Sequence, residues 1–446
     1  MKFIATNITI LFLFFCGFLL AEETKPAAYN DEIVITARGY GSLLSKTPGG
    51  TGVIKSSDIE HMQLNSVSNA LELVPGVSKT SDSAWGSEVT IRGASRSNVV
   101  FLVDGIRLNT ATDVGAQFGT IDPMSVERIE ILKGPISSLY GSGTIGGVIN
   151  VITKNASFAD TSSLAGGLNT SYNFNSNGKN LYGFAAFNSE SFYAFASGSY
   201  RQHDSYEDGG GELMRNSQFE DFQGNINLGF KVNRKNKVEL KSQYYQGNDI
   251  GIPAGSAFPN GATVYYDTIN RLLLNIDYTF TPGAEVFKES KLRLSYHGLG
   301  RNVVNYSGQT PVVKLVPEAV HRTFGALWIN RIITGTNDIT AGADGWLRTL
   351  ETARTRFKAN GETSEDTPIP DSSYLSGGVF AEDNIDLNRF IINLGARFDL
   401  IHVENDEAYL YKTFFVTPPP SPPASGNKKI WNKDKTTEYS WNAHAG

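Results

Sequence analysis

Long stretches of strictly alternating residues restrict the fold of this chain more than any other feature of its sequence. From about residue 161 onward, apolar and polar side chains alternate, for example within residues 271–280, 390–400 and 238–244. A period of two places apolar residues on one face of a β-strand and polar residues on the other. The same region contains no run of roughly 18 apolar residues that could form a transmembrane helix. The pattern predicts either a membrane β-barrel with a polar interior or a soluble β-sandwich with shorter strands.

The lengths of the connections between these strands favour the membrane barrel. Short and long connections follow one another, as in outer-membrane barrels, whose periplasmic turns are short and whose outer loops are long. The short connections are 233–236, 334–337 and 386–388, and the long ones lie near 204–218, 248–266, 300–317, 350–374 and 403–436. This order predicts a first strand that rises from the periplasmic side. It also predicts about eleven complete strands and the start of a twelfth near residues 438–441.

The first 21 residues have the features of a secretory signal peptide. Lys2 gives a basic start, residues 8–20 are almost wholly apolar, and Ala21 suits cleavage. The one cysteine, Cys16, follows the bulky Phe15, which disfavours a lipid anchor. Cleavage leaves a mature chain without disulfides, thiolate nucleophiles or cysteine-ligated metals. The net charge of −6 has mixed signs and no basic face, so nucleic acid is not an expected partner.

Ahead of the alternating region, residues 128–135 and 145–152 contain two short runs rich in Ile and Val, with Gly-Pro, Gly-Ser-Gly and Gly-Gly around them. The runs predict strands, and the glycines allow tight turns and close backbone packing. Two further short segments of this kind lie within 89–105. The Gly-rich segments 141–143 and 209–211 lack the neighbours of a nucleophile turn and of a phosphate loop. The chain is therefore not expected to be an enzyme.

This series of motifs, from about residue 50 to 153, resembles the plug domain of TonB-dependent outer-membrane receptors. The resemblance implies a membrane β-barrel of 22 antiparallel strands with an N-terminal α+β plug domain inside its lumen. The implied division of the chain is a signal peptide at 1–21, a flexible lead at 22–50, a plug at 51–155 and barrel strands at 160–446. Within the plug, Ser66 precedes a predicted helix whose apolar residues share one face.

The size of such a plug sets a minimum width for the barrel. A plug of about 120 residues has a radius of gyration of roughly 14 Å. A 12-stranded barrel is too narrow for it, whereas 22-stranded barrels enclose a plugged lumen. We therefore expect a C-terminally truncated fragment with about the first 11–12 of 22 strands, lacking roughly ten. Two unpaired edges in lipid are costly, so this fragment alone is not expected to work as a transporter.

The resemblance also implies a site for a partner protein. In this family a short segment near the mature N-terminus, the TonB box, adds as a strand to the sheet edge of a periplasmic energy-coupling protein. The matching β-forming segment here is Asp31, Glu32, Ile33, Val34, Ile35, Thr36 and Ala37. Its place between the signal peptide and the plug supports this role, and an ordinary first strand of the plug is the alternative.

Two plug loops, at 79–88 and 107–120, are implied to point toward the extracellular mouth and to touch the ligand. The candidate ligand contacts are Trp85, Asn109, Thr112, Asp113 and Gln117. For Trp85, packing against the barrel wall is an equally weighted alternative. The resemblance further implies salt bridges between plug and barrel from Arg92 and from the Arg128/Glu130 pair, because charges inside a barrel must be paired or solvated.

Four histidines fall where the predicted topology places the outer ends of strands: His203, His297, His321 and His402. This clustering suits axial ligation of a heme iron or contacts to a metal chelate, and chance placement of polar residues in outer regions is the alternative. Neither plug loop contains a histidine, which counts against heme. No spacing of His, Cys and Asp resembles a zinc or calcium site, so no resident cofactor is expected.

The resemblance implies energised import across the outer membrane of a diderm bacterium. The expected ligand is an iron chelate, a ferric siderophore or heme, because such ligands form the larger share of the family. Cobalamin uptake and a non-transporting surface-binding barrel are the alternatives, and a soluble secreted β-sandwich enzyme is a third class. The expected partners are the TonB-type coupling protein and outer-membrane lipid, and the full-length protein is expected to be monomeric.

Overall fold

The structure, a computed structural model, describes residues 34–35, 42–43, 50–62, 64–81, 83–95, 98–108, 110, 117–134, 137–141, 143–253, 262–306, 312–387, 389–414 and 424–445. Near the N-terminus, β1 (Val34–Ile35) pairs antiparallel with β2 (Ser42–Leu43). Within the described ranges, no helix is long and apolar enough to cross a membrane.

Residues 50–153, termed the plug, are built on two small sheets and three short helices. The elements are β3 (Gly50–Lys55), α1 (Ser56–Met62), α2 (Val67–Leu71), β4 (Val77–Ser81), β5 (Ser87–Ile91), β6 (Ala94–Ser95), β7 (Val99–Val103), β8 (Ile106–Arg107), β9 (Val126–Lys133), α3 (Ser137–Tyr140) and β10 (Gly147–Thr153). The main sheet has the order β3-β9-β10-β7-β8, and the second is β4-β5-β6. The two Ile/Val-rich runs thus form neighbouring central strands, β9 and β10.

Burial explains why these runs form the centre of the plug. Ile129, Ile131, Ile149 and Val151 are fully buried in one apolar cluster with residues of α1 and α2. The second helix predicted after Ser66 is present as α2, and the Ser66 hydroxyl caps it by accepting a hydrogen bond from the Ser68 N–H at 3.3 Å. The cap satisfies a backbone donor at the buried start of α2.

Gly147, the first residue of β10, is required by the close approach of two plug strands. Its φ angle is +143°, and a Cβ atom there would overlap the Leu132 carbonyl oxygen on β9. Gly147→Ala is expected to lower the free energy of unfolding by about 3 kcal/mol, because it combines steric overlap with backbone strain. Thermal unfolding of the purified protein measures the loss.

Gly134 provides the matched control for this substitution. Its φ angle is +107°, and no atom lies within 4 Å of a Cβ built there. Gly134→Ala therefore carries backbone strain without the overlap and is expected to cost about 1 kcal/mol. Equal losses for the two variants would show that strand packing does not explain Gly147.

Residues 163–445 form an antiparallel sheet, termed the wall. Its strands are β11 (Ser163–Asn173), β12 (Gly178–Asn188), β13 (Phe192–His203), β14 (Phe219–Asn233), β15 (Asn236–Ile252), β16 (Thr263–Phe280), β17 (Phe287–Tyr306), β18 (Val312–Thr334), β19 (Asn337–Lys358), β20 (Thr363–Asp366), β21 (Ser372–Asp386), β22 (Ile391–Asn405) and β25 (Asp434–Ala445), and a separate hairpin joins β23 (Ala408–Phe414) to β24 (Ala424–Trp431). In the described residues the path runs from β11 to β25, with β20 paired to β19, and the sheet is not closed. β25 lies at the position predicted for the twelfth strand, whereas the total of 22 strands stays a prediction.

The two faces of the wall differ as the alternation predicts. On β16, Leu274, Ile276 and Tyr278 are 40–45% exposed on one face. Asn275 and Asp277 between them are 2% and 5% exposed on the face that covers the plug. An apolar outer face and a polar inner face are the arrangement of a membrane barrel.

The long connections all lie at one end of the wall, termed the outer end, but some are shorter than predicted. The connection expected at 300–317 spans only 307–311, because β17 continues to Tyr306 and β18 begins at Val312. These strands have 20 and 23 residues, whereas about 9–11 suffice to span a membrane. The outer part of β17 carries polar residues on both faces, as the consecutive Arg301 and Asn302 show, and therefore resembles a loop in sequence.

Candidate functional site

The plug is held to the inner face of the wall by three clusters of buried polar side chains, each named here after its central residue. The Asp221 anchor lies on β13 to β15, and the Asp104 anchor spans the plug, β15 and β17. The Arg397 anchor lies on β19 and β22. Each cluster joins charged wall residues to backbone or side-chain atoms of the plug.

In the Asp221 anchor, one wall carboxylate collects donors from both domains. Arg201 Nε donates to Asp221 Oδ1 at 2.8 Å, and Tyr245 Oη donates to Asp221 Oδ2 at 2.9 Å. The plug indole of Trp85 donates from Nε1 to Tyr245 Oη at 2.6 Å and to Asp221 Oδ2 at 3.2 Å. Arg201 Nη1 also donates to the plug carbonyl of Asn65 at 2.6 Å. Arg201 and Asp221 are each 2% exposed, so the pair is screened very little by water.

In the Asp104 anchor, a plug carboxylate is shared between the plug and the wall. Its oxygens accept hydrogen bonds from the N–H and the hydroxyl of Thr153, at 3.1 and 2.7 Å, inside the plug. They also accept from Lys241 Nζ at 3.1 Å and Gln243 Nε2 at 2.9 Å on β15. Arg293 Nη1 donates to the Asp104 carbonyl oxygen at 3.0 Å. Asp104 therefore holds the end of β7 to two wall strands at once.

In the Arg397 anchor, a wall arginine lies between two wall carboxylates and touches the plug. Arg397 donates from Nη2 to Asp344 Oδ1 at 2.8 Å and from Nε to Asp399 Oδ1 at 2.7 Å. Its Nη1 reaches the Leu139 carbonyl oxygen of α3 at 3.4 Å. Nearby, Arg107 of the plug is desolvated, and burial lowers its pKa to about 10, so it stays protonated at neutral pH.

Of the predicted ligand contacts, the structure describes the side chain of Trp85 only. Asn109, Thr112 and Asp113 lie outside the described residues, and Gln117 begins a short 3₁₀ turn without a described side chain. Trp85 is 1% exposed and packs against Tyr245 and other wall residues. The structure therefore shows the wall-packing alternative for Trp85, and its contact with a ligand stays a prediction.

The predicted TonB box is described at its two central residues. The backbones of Val34 and Ile35 pair with Leu43 and Ser42, while residues 31–33 and 36–37 lie outside the described residues. Binding of the box to a coupling protein stays a prediction.

The predicted plug–barrel charges lie on the plug sheet. Arg128 Nε donates to Glu130 Oε1 at 2.9 Å, and the Glu130 side chain is fully buried. These residues are two apart on β9, so they share a face and pair with each other. Arg92 has a positive φ angle of 50° and is exposed. Salt bridges from these three residues to the barrel stay a prediction.

The four histidines occupy different surroundings. His203 stacks on Phe219, with ring centroids 4.5 Å apart, and its Nδ1 lies 2.8 Å from Ser176 Oγ. His297 and His321 are buried on the inner face of neighbouring strands, and the His402 ring contacts Thr437 instead. Among the described residues, no group of three or more His, Cys, Asp or Glu is placed to hold a metal ion. Ligation of heme by these histidines stays a prediction.

The central residues of the anchors were missed by the sequence analysis. Asp104 lies in a predicted motif and Asp221 on a wall strand, but their partners are distant in the chain, and Asp104 is 137 residues from Lys241. The alternation of wall strands could have identified the wall residues of the anchors, because charged residues that point into the lumen must find partners there. It could not have identified the plug residues that pair with them.

A polar cavity of about 220 Å³ lies between the plug and the outer ends of β11 to β14. The plug contributes Asn65, Asn69 and Lys79, and the wall contributes residues such as Asn173 and Asp204. Its size is below the roughly 300–1,000 Å³ of ligand pockets in proteins. The cavity therefore suits a part of a large ligand or a group of waters.

Two family models match this arrangement of plug and wall. The model described as TonB-dependent Receptor Plug Domain matches residues 44–148. The model described as TonB dependent receptor-like, beta-barrel matches residues 199–445, which is more than half of the chain. The chain belongs to the TonB-dependent receptor family. The resemblance inferred from the plug motifs is thus confirmed, and members of this family are receptors and transporters rather than soluble β-sandwich enzymes.

Two curated relatives of this TonB-dependent receptor have different names. It is 38% identical over 148 residues to the Vitamin B12 transporter BtuB of Vibrio vulnificus (strain CMCP6), a match that covers 33% of this chain and 24% of the relative. It is 33% identical over 158 residues to the Iron-regulated outer membrane virulence protein of Vibrio cholerae serotype O1 (strain ATCC 39541 / Classical Ogawa 395 / O395), covering 34% of this chain and 24% of the relative.

Solved structures share the fold of this receptor at low sequence identity. The Copper transporter OprC has a TM-score of 0.73 at 16% identity, covering 89% of this chain and 60% of that chain. The Serratia marcescens hemophore receptor HasR, in complex with its hemophore and heme, has a TM-score of 0.72 at 16% identity with the same coverage. The receptor chain thus spans about a quarter of the curated relatives and 60% of these solved chains.

Proposed function

We propose that this chain forms the plug and adjoining wall of an outer-membrane receptor that imports an iron chelate with energy from a TonB-type coupling protein. The observation that carries the proposal is the plug fastened across the polar face of the wall by three buried anchors. A lumen closed in this way requires energy to open, and the segment 31–37 is the part of the chain that suits a coupling strand. The apolar outer face of the wall supports a place in the outer membrane.

One wall arginine supports an anionic chelate as the ligand. Arg348 on β19 lies over the rings of Trp346 and Tyr374, 5.6 and 5.2 Å from their centroids, and the two rings stack at 4.6 Å. Among the described residues, no carboxylate lies at ion-pair distance from Arg348. A half-buried guanidinium beside two stacked aromatic rings suits a planar anionic group, such as a carboxylate or catecholate that holds ferric iron.

Cobalamin is the second candidate ligand. The identity of 38% to a vitamin B12 transporter favours it, although that match covers only 24% of the relative. Heme is weaker, because His297 and His321, the buried pair of histidines, are each at most 2% exposed.

Growth rescue separates these ligands. A strain that depends on the full-length receptor is supplied in turn with an anionic ferric catecholate, hemin or cyanocobalamin, and the catecholate is expected to restore growth and to bind the purified receptor. Arg348→Gln is expected to weaken its binding at least about tenfold, since a hydrogen bond to a charged group contributes about 1.5–3 kcal/mol.

Arg322→Gln is the matched control for this substitution. Arg322 already pairs with Glu351, and both side chains are well exposed. Binding is expected to be unchanged in this variant. Rescue by cyanocobalamin alone would overturn the iron-chelate proposal in favour of the second candidate.

A further inference from the structure

A small cavity lies between the ends of a plug loop and the wall strands β16 and β17. Its volume is about 10 Å³, which is close to the minimum for one water molecule or one small ion. The plug side consists of Leu108, Thr110 and Thr120, and the wall side includes Arg271 and His297. Leu108 and Thr110 lie near the start, and Thr120 at the end, of the plug loop at 107–120 that was implied to touch the ligand.

Arg271 brings to this cavity a guanidinium that forms no ion pair among the described residues. The residue is 1% exposed, and its Nη2 donates to the Thr120 carbonyl oxygen and to Gln243 Oε1, both at 3.2 Å. Both acceptors are neutral, and Nε and Nη1 have no hydrogen-bond partner among the described residues. A buried charge without a counter-charge destabilises a fold unless another group neutralises it.

His297 adds a second set of unused polar atoms to the same cavity. The residue is 2% exposed, and neither ring nitrogen has a hydrogen-bond partner among the described residues. A neutral imidazole has one N–H to donate. Arg271 and His297 thus offer up to four unused N–H groups on three nitrogen atoms, and the guanidinium carries a fixed positive charge.

We propose that a single small monovalent anion, of the size and charge of chloride, binds in this cavity between Arg271 and His297. An anion accepts hydrogen bonds from the unused N–H groups and also forms an ion pair with the guanidinium. A water molecule accepts hydrogen bonds but leaves the guanidinium without an ion-pair partner. Sulfate and phosphate are too large for the cavity. Bound there, the anion fastens both ends of the plug loop at 108–120 to β16 and β17. This site is separate from the uptake proposed above and does not depend on it.

Bromide replacement tests the site directly. The full-length receptor is crystallised in bromide in place of chloride, and an anomalous peak is expected in contact with both Arg271 and His297. The melting temperature is then measured at constant ionic strength in chloride and in gluconate, which is too large to enter. We expect a saturable rise of about 2 °C in chloride.

Two variants make the outcome decisive. Arg271→Gln removes the charge, and His297→Phe removes the ring N–H donor but keeps an aromatic ring at the cavity wall. Two substitutions are used so that the test can still be made if one variant does not fold. Each is expected to lose both the bromide peak and the chloride effect, whereas Arg322→Gln, at the exposed pair with Glu351, keeps both. Water density without an anomalous peak, or equal melting temperatures in the two salts, overturns the proposal.

Discussion

Deletion of residues 32–36 is expected to abolish energised uptake while leaving the affinity for ligand unchanged. Strand addition needs a short segment whose backbone N–H and C=O groups can pair with a partner sheet. Among the described residues, Val34 and Ile35 pair with Leu43 and Ser42. An isolated two-stranded pair is marginally stable in water, so we expect this pairing to exchange for a pairing with the coupling protein. The proposed ligand contact, Arg348, lies on β19 of the wall, so the deletion removes no residue proposed to bind the ligand.

Uptake of a radiolabelled ferric chelate by cells, together with its binding to the purified full-length receptor, measures the two effects separately. Val34→Pro should reproduce the deletion, because proline removes the N–H that a paired strand donates. Val34→Thr is the matched control, since threonine keeps the N–H and favours strands. Uptake that persists in the deletion and in Val34→Pro would show that this segment does not couple energy to transport.

The architecture could be predicted because it depends on local patterns. Alternation along β16 and β22 marks one face for lipid and one for the lumen, and this period is visible without knowing any neighbour. The Ile/Val-rich runs at β9 and β10 similarly predict central strands. Prediction failed where a local signal is ambiguous. The outer part of β17 is polar on both faces, so its composition is that of a loop although its backbone is paired with β18.

The anchors could not be predicted because they depend on tertiary proximity. Nothing local distinguishes Asp104 from other turn aspartates, and its wall partner Lys241 is known only from the folded chain. Arg128 and Glu130 show the opposite case. Their spacing of two on one strand already allows the pairing with each other that the structure shows, whereas the sequence analysis assigned them to the barrel.

Asp221→Ala is expected to weaken the attachment of the plug to the wall by about 3–5 kcal/mol, the usual cost of leaving one member of a buried ion pair without its partner. The substitution leaves the Arg201 guanidinium buried and unpaired on β13. It also removes the acceptor shared by Trp85 Nε1 and Tyr245 Oη. Because the Trp85 indole is the plug side chain that hydrogen-bonds to Asp221, the plug should detach at a lower urea concentration than in the wild type.

Conductance of the full-length receptor in planar bilayers under increasing urea measures this detachment, since the lumen conducts ions once the plug leaves it. Asp221→Asn keeps one oxygen acceptor of the same shape and should show an intermediate shift. Glu220→Ala, one residue away on the opposite face of β14, is the matched control and should open at the wild-type urea concentration, because the Glu220 carboxylate accepts a hydrogen bond from the Tyr200 hydroxyl on the wall and, among the described residues, from no plug side chain. If Asp221→Ala opens no earlier than Glu220→Ala, the Asp221 anchor does not hold the plug, and the seal must reside in the Asp104 and Arg397 anchors.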